Sequence, residues 1–217
     1  MNKLQIWDFD GTLVDSQQGC FSSYKFLCES LGIPFEFTFD EFRAWYDIEW
    51  HNNFSRLKIP QEQWELANAL YKKNICTEKP LLYPGIIEVI KAQHARSLLV
   101  VISGGNGTGV RRKLQQQGIR KYFAEVSGYP GNLMKPNPLP FLEVMKRHGA
   151  TPSETVLVGD MAKDVLTARN AGIGKIISVT YGWQTKEQLL TELKKLKISP
   201  HFFANTPKEL MKILKDL

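Results

Sequence analysis

The chain has 217 residues, of which 43% are apolar and 23% charged. That make-up suits a globular protein of one large domain, or a domain with a modest insert, and excludes disordered, collagen-like and coiled-coil architectures. A chain this long buries about 70% of its unfolded surface and needs no disulfide or metal staple. The net charge of +6 admits an anionic partner or simple solubility.

No apolar run approaches the roughly 18 residues of a membrane span, and the amino terminus reaches Asp8 without the apolar core of a secretory leader. Three cysteines, Cys20, Cys28 and Cys76, are odd in number and lack metal-ligand spacing, so free thiols in a reducing cytoplasm are expected. Between Lys186 and Leu217 seven lysines and four acids fall at helical intervals without aromatic interleaving. This is a solvated helical face rather than a nucleic-acid surface.

In chain order, continuous apolar runs at Leu4–Trp7, Leu98–Ile102, Phe123–Val126, Val156–Val158 and Ile176–Val179 read as buried strands, with a weaker one at His201–Phe203. Amphipathic stretches at Ile86–His94, Gly109–Gln117, Pro140–His148 and Val165–Ala171 lie between them. Strands alternating with helices predict an α/β fold with a doubly wound, Rossmann-like parallel sheet. The segment 16–84 breaks this alternation. It carries helical patterns at Cys20–Leu31, Asp40–Phe54 and Gln61–Ile75, with Asp40 as a capping residue and Pro60 stiffening the third start. The expected organisation is a core of residues 1–15 and 85–217 with an inserted helical cap at 16–84.

Four motifs carry chemistry. The first strand runs into Asp8-Phe9-Asp10-Gly11-Thr12, and two acids at the carboxyl end of a parallel strand occupy the edge where ligands bind. Their i, i+2 spacing puts both on one side of an extended chain, where a divalent cation relieves their repulsion. A second acidic pair, Asp160 and Asp164, follows Val156–Val158, with Asp164 expected in the first turn of a helix. Two acidic strand ends together suit Mg²⁺, a hard cation that bridges carboxylate and phosphate. Ser103-Gly104-Gly105 closes a third strand, and a hydroxyl followed by glycines can receive phosphate oxygens. Lys135-Pro136 holds an ammonium in a stiff segment before a helix, placed to neutralise a carboxylate and a phosphate. Gly105-Asn-Gly107-Thr-Gly109 does not meet the dinucleotide spacing.

In this order the four motifs resemble those of the haloacid dehalogenase-like hydrolase superfamily, and the insert is similar to the helical cap of its phosphoglycolate phosphatase-like branch. The resemblance implies that the first strand lies centrally and that Asp8 attacks phosphorus to form an aspartyl phosphate. It implies that Asp10 protonates the leaving alcohol and then activates water. Ser103 and Lys135 would hold the phosphoryl oxygens, Lys135 also orienting Asp8, with Thr12, Gly104 and Gly105 as further substrate contacts. Mg²⁺ would sit on Asp8, the main-chain carbonyl of Asp10 and Asp160, with Asp164 as a ligand or as a partner of one.

The implied activity is hydrolysis of a small phosphate monoester, phosphoglycolate-like or a sugar phosphate, by a monomer or weak dimer with no nucleic acid or membrane partner. The second aspartate disfavours carbon–halogen cleavage. A sugar phosphomutase uses the same pair and is the alternative reading; a non-catalytic binding module is a more remote one. Gly104, Leu139 and Met161 depart from the commonest family pattern without removing a reacting group. Specificity is expected in the insert, where Trp50, His51 and Asn52 offer aromatic, imidazole and amide contacts. Hinges near Asp15–Gln17 and Leu82–Gly85 would let the insert close over the site.

Overall fold

The structure is a computed structural model that describes residues 3–47, 50–131 and 133–217. The chain divides into two compact units, one of residues 1–15 and 81–217, the other of residues 16–80. The sequence reading set the second boundary at 84. Leu81–Leu82 belongs to the larger unit because it forms a short strand (β3) antiparallel to Val14–Asp15 (β2).

The larger unit is built on a six-stranded parallel sheet. Its strands are β1 (Leu4–Trp7), β4 (Leu98–Ser103), β5 (Glu125–Gly128), β6 (Thr155–Gly159), β7 (Lys175–Val179) and β8 (Phe202–Ala204), in the spatial order β5-β4-β1-β6-β7-β8. β1 is central, with Trp7 opposite Val101 of β4 on one side and Val158 of β6 on the other. Residues alternate between the two faces of the pleat. Leu4, Ile6, Val100, Ile102 and Leu157 join one core cluster, while Trp7, Val101, Val156, Val158 and Ile177 join the other. Both faces are covered, which is why these strands read as unbroken apolar runs. Gln5 is an exception among them. It is buried but satisfied, accepting from Trp7 Nε1 at 3.2 Å and donating to Gln93 Oε1 at 2.8 Å.

The helices of this unit are α5 (Ile86–His94), α6 (Gly107–Gln116), α7 (Leu139–Arg147), α8 (Ala162–Asn170), α9 (Lys186–Leu196) and α10 (Pro207–Asp216). Each lies within a few residues of its sequence expectation where one was made. The strand expected at Phe123–Val126 begins two residues later. Phe123 closes a short 3₁₀ turn instead, its N–H donating to the Arg120 carbonyl.

The smaller unit holds α1 (Gln17–Ser30), α2 (Phe39–Trp45), α3 (Trp50–Arg56) and α4 (Trp64–Ile75) around an aromatic centre. There Tyr24 meets Phe42 at 5.5 Å and Tyr71 at 5.1 Å. Two expectations are corrected here. The stretch Asp40–Phe54 is not one helix: the chain leaves helical geometry at Tyr46 (φ −57°, ψ 132°), and the Asn53 side chain bonds both N–H and C=O of Asp47. The cap is Thr38, not Asp40, since Thr38 and Glu41 form a reciprocal capping box. The third pattern starts as a 3₁₀ turn, Gln61–Gln63, before α4. Among the described residues no helix is long and apolar enough to cross a membrane.

Candidate active site

The carboxyl ends of β1, β4 and β6 meet where the chain order of the sheet reverses, the place at which open α/β sheets bind ligands. β1 delivers Asp8, whose N–H donates to Val158 O at 2.9 Å, so the residue continues the strand before the chain turns. The turn is tight: the Phe9 carbonyl accepts from the N–H groups of Thr12, Leu13 and Val14. Gly11 sits at φ +79°, and a Cβ there would come within 2.2 Å of Asp160 Oδ2. Only glycine meets both the backbone angle and the close approach.

β6 delivers Asp160, which is fully buried. Both its oxygens are gripped: Oδ1 accepts from the Thr12 hydroxyl at 3.1 Å and Oδ2 from the Trp183 N–H at 2.8 Å. Asp164 stands in the first turn of α8, as its spacing predicted. Its Oδ2 accepts from the N–H groups of Asp160 (3.2 Å) and Met161 (3.0 Å), and its Oδ1 lies 2.5 Å from Lys135 Nζ. Lys135, in the loop between β5 and α7, also donates to Asp8 Oδ1 at 2.6 Å. The four motifs therefore converge, with Lys135 bridging two of the acids.

One ammonium faces three buried carboxylates, and the charge is not balanced. Oxygens of Asp8, Asp160 and Asp164 lie within 4.8 Å of one another. Burial, only partly offset by Lys135 and aggravated by Asp164, pushes the Asp8 carboxyl up to about 7. Burial and the charges of Asp8 and Asp164 push Asp160 well above the usual carboxylate range. Burial works against the Lys135 ammonium, yet Asp164 and Asp8 outweigh it and hold its pKa above the ordinary lysine value. A set of hard oxygen donors with an unmet negative charge fits a divalent cation of the Mg²⁺ type.

Asp10 stands apart from that acidic cluster. Its side chain is partly exposed and its Oδ2 accepts from Ser103 Oγ at 3.4 Å. The Ser103 hydroxyl in turn accepts from the Gly105 N–H at 3.0 Å, so the β4 end is a pre-formed bend. Gly104 has open space where a side chain would be. Thr12, grouped by sequence with the substrate contacts, is fully buried and committed to Asp160. Its role here is to hold that carboxylate.

A family model for haloacid dehalogenase-like hydrolases matches residues 5–178. The chain belongs to this family. Among its curated relatives, a protein named "Probable phosphatase IndB" from Dickeya dadantii is 30% identical over 203 residues, covering 87% of this chain and 86% of that one. A phosphoglycolate phosphatase from Synechococcus elongatus is 26% identical over 218 residues, covering 98% and 97%. In fold, a haloacid dehalogenase-like family hydrolase from Streptococcus pneumoniae superposes with a TM-score of 0.85 at 20% identity, covering 98% of each chain.

The remaining sequence candidates of this family member lie in the helical unit. Trp50 is half-buried, stacked on His51 with ring centres 3.5 Å apart and edge-on to Phe54 at 5.0 Å. His51 and Asn52 are exposed, and Asn52 Nδ2 donates to Asp47 Oδ2 at 2.8 Å.

Sequence reasoning missed the turn after β7. Its Tyr181 hydroxyl donates to the Thr12 carbonyl at 3.2 Å, and its Gln184 Oε1 accepts from the Ala162 N–H at 3.2 Å. At Gly182 a Cβ would sit 2.4 Å from Asp160 Oδ2 and from the Gly11 carbonyl. The turn acts through both side chains and backbone, and the one available signal was Gly182, three residues past a buried strand.

Proposed function

We propose that this chain is a magnesium-dependent phosphatase that hydrolyses small phosphate monoesters, phosphoglycolate-like or sugar phosphates, through an aspartyl phosphate on Asp8. The observation that carries this reading is the Asp8 carboxylate held at 2.6 Å by a buried Lys135 beside Asp160 and Asp164. Lys135 fixes one oxygen of Asp8, which orients the carboxylate for attack and keeps positive charge where phosphoryl oxygens gather. Asp8 forms a bond to phosphorus as the ester P–O bond breaks, and Asp10 gives its proton to the departing alkoxide. Asp10 then takes a proton from water as that water attacks the phosphoaspartate, returning Asp8 and releasing inorganic phosphate. Asp10 suits this work because it lies off the acidic cluster and reaches solvent, where protons exchange. Magnesium held by Asp8, Asp160 and Asp164, with the Asp10 main-chain carbonyl, would supply positive charge to the same oxygens. Ser103 Oγ and the Gly104–Gly105 bend would complete the cradle.

The test is release of inorganic phosphate from p-nitrophenyl phosphate and from a panel of phosphorylated metabolites, with Mg²⁺ and with a chelator. The expected result is metal-dependent release that Asp8→Asn lowers by more than about a thousandfold. Wild-type turnover by Asp8→Asn would overturn the assignment. Interconversion of a sugar phosphate without phosphate release would replace it with the mutase reading.

A further inference from the structure

At the amino end of the sheet, opposite the carboxyl-end motifs, lies an open cavity, a surface depression of about 650 Å³. It falls within the roughly 300–1,000 Å³ typical of small-molecule sites. Its apolar lining is Leu98, Leu99, Phe123 and Ala124, of which Leu98 and Ala124 are exposed, and its cationic lining is Lys3, Arg96 and Lys121. Leu98 is the only exposed residue of β4, and it remains 37% exposed. None of the three cations pairs with a carboxylate among the described residues. Each is oriented by other contacts. Lys3 Nζ donates to the Gly149 carbonyl, Arg96 reaches the Lys215 carbonyl at 3.4 Å, and Lys121 Nζ stands 5.3 Å over the Tyr122 ring. The one acid of the lining, Glu154, accepts on one oxygen from the Thr151 N–H at 3.0 Å and hydroxyl at 2.8 Å, which with the Lys3 charge hold it below the usual carboxylate range. Tyr122 and His94, edge to face at 5.5 Å, add an aromatic wall.

We propose that this cavity is a second ligand site, for a small organic anion of the 5′-mononucleotide class. Arg96 and Lys121, with no carboxylate partner among the described residues, call for an anionic group, and Arg and Lys together suit a phosphate. The apolar lining and aromatic wall call for a planar body, which inorganic phosphate lacks and a sugar phosphate does not offer. The volume is far more than a phosphate ion fills. The site shares no residue with the carboxyl-end motifs, so it stands whether or not the phosphatase reading does.

The experiment is calorimetric titration of the full chain with AMP and UMP in chelator, beside inorganic phosphate and adenosine as separate probes. The expected result is saturable mononucleotide binding at least about tenfold tighter than either fragment, weakening as salt rises. Arg96→Glu with Lys121→Glu is expected to weaken it at least about tenfold, and Lys121→Glu alone measurably, with the circular dichroism spectrum of the folded chain kept. Ser103→Ala, at the other end of the sheet, is expected to leave the affinity as it is. No binding of either nucleotide, equal binding of phosphate alone, affinity kept by the charge-swapped chain, or affinity lost in Ser103→Ala would each overturn the proposal.

Discussion

Asp160 illustrates how much of a site lies in residues that never touch the reaction. Its two oxygens are held by Thr12 Oγ1 and by the Trp183 N–H, so its direction is set before any ligand arrives. Partners of this kind are worth roughly 10–100-fold in metal affinity. Thr12→Val keeps the shape and removes one donor, and it is expected to weaken Mn²⁺ binding, read by electron paramagnetic resonance, about tenfold with the fold intact. Gly182→Ala drives a Cβ to 2.4 Å from the same carboxylate and is expected to weaken it further. Unchanged Mn²⁺ affinity in both variants would mean that Asp160 is not oriented by these contacts. The acids stood out in the sequence because two strand ends each carry a pair of them, whereas a single strand-end aspartate commonly serves only a cap or turn. The Thr12–Asp160 bond could not be read from sequence, because a hydroxyl beside two aspartates looks the same whether it faces a substrate or a neighbouring side chain. The backbone donor at Trp183 leaves no mark on residue type at all.

At the scale of elements, the strands were readable and the insert's helices only partly so, for one physical reason. A strand covered on both faces must be apolar throughout, which gives an unmistakable run such as Leu98–Ile102. A helix of the insert needs one apolar stripe, and that stripe continues from α2 into α3 although the backbone does not. The interruption is specified by Asn53, whose side chain stands in for helical hydrogen bonds at Asp47, a contact that periodicity does not encode. β2 and β3, of two residues each, are too short to have a period. The α2 start was readable, since Thr38-Phe-Asp-Glu41 has the spacing of a capping box. Thr38→Ala removes the acceptor for the Glu41 N–H and is expected to cost about 1 kcal/mol of stability, measured by urea unfolding. Asp40→Ala is expected to cost less; the reverse order would restore Asp40 as the cap.

For the whole molecule, the +6 net charge conceals a local excess of negative charge around Asp8, and that excess links stability to pH. Asp8 and Asp160 have folded-state pKa values raised by burial, so the folded chain binds protons that the unfolded chain releases. Stability from these groups is therefore greatest at acid pH and is lost as pH rises from the ordinary carboxylate range to about 7 for Asp8. His201 acts in the opposite sense. Burial, helped by the Arg169 charge, lowers its pKa, and its Nδ1 accepts from the Ile176 N–H at 3.1 Å. Its contribution is present above the unfolded histidine value and falls as pH drops through it. Glu125, whose burial is outweighed by hydrogen bonds from Arg147 and His148, is held below the usual carboxylate range, so its contribution fades only in more acid solution. A single melting curve against pH mixes these signs. The difference between Mg²⁺-loaded and chelated protein separates them, because His201 and Glu125 contribute alike to both. A divalent cation replaces protons at the acidic cluster, so the rise in melting temperature on adding Mg²⁺ is expected to be larger at pH 8 than at pH 5.5. Asp160→Asn is expected to shrink that rise at pH 8 while making the chelated protein more stable, since it removes a buried charge that has no cation of its own. A Mg²⁺ increment independent of pH, or one that Asp160→Asn leaves intact, would place the metal elsewhere than among Asp8, Asp160 and Asp164.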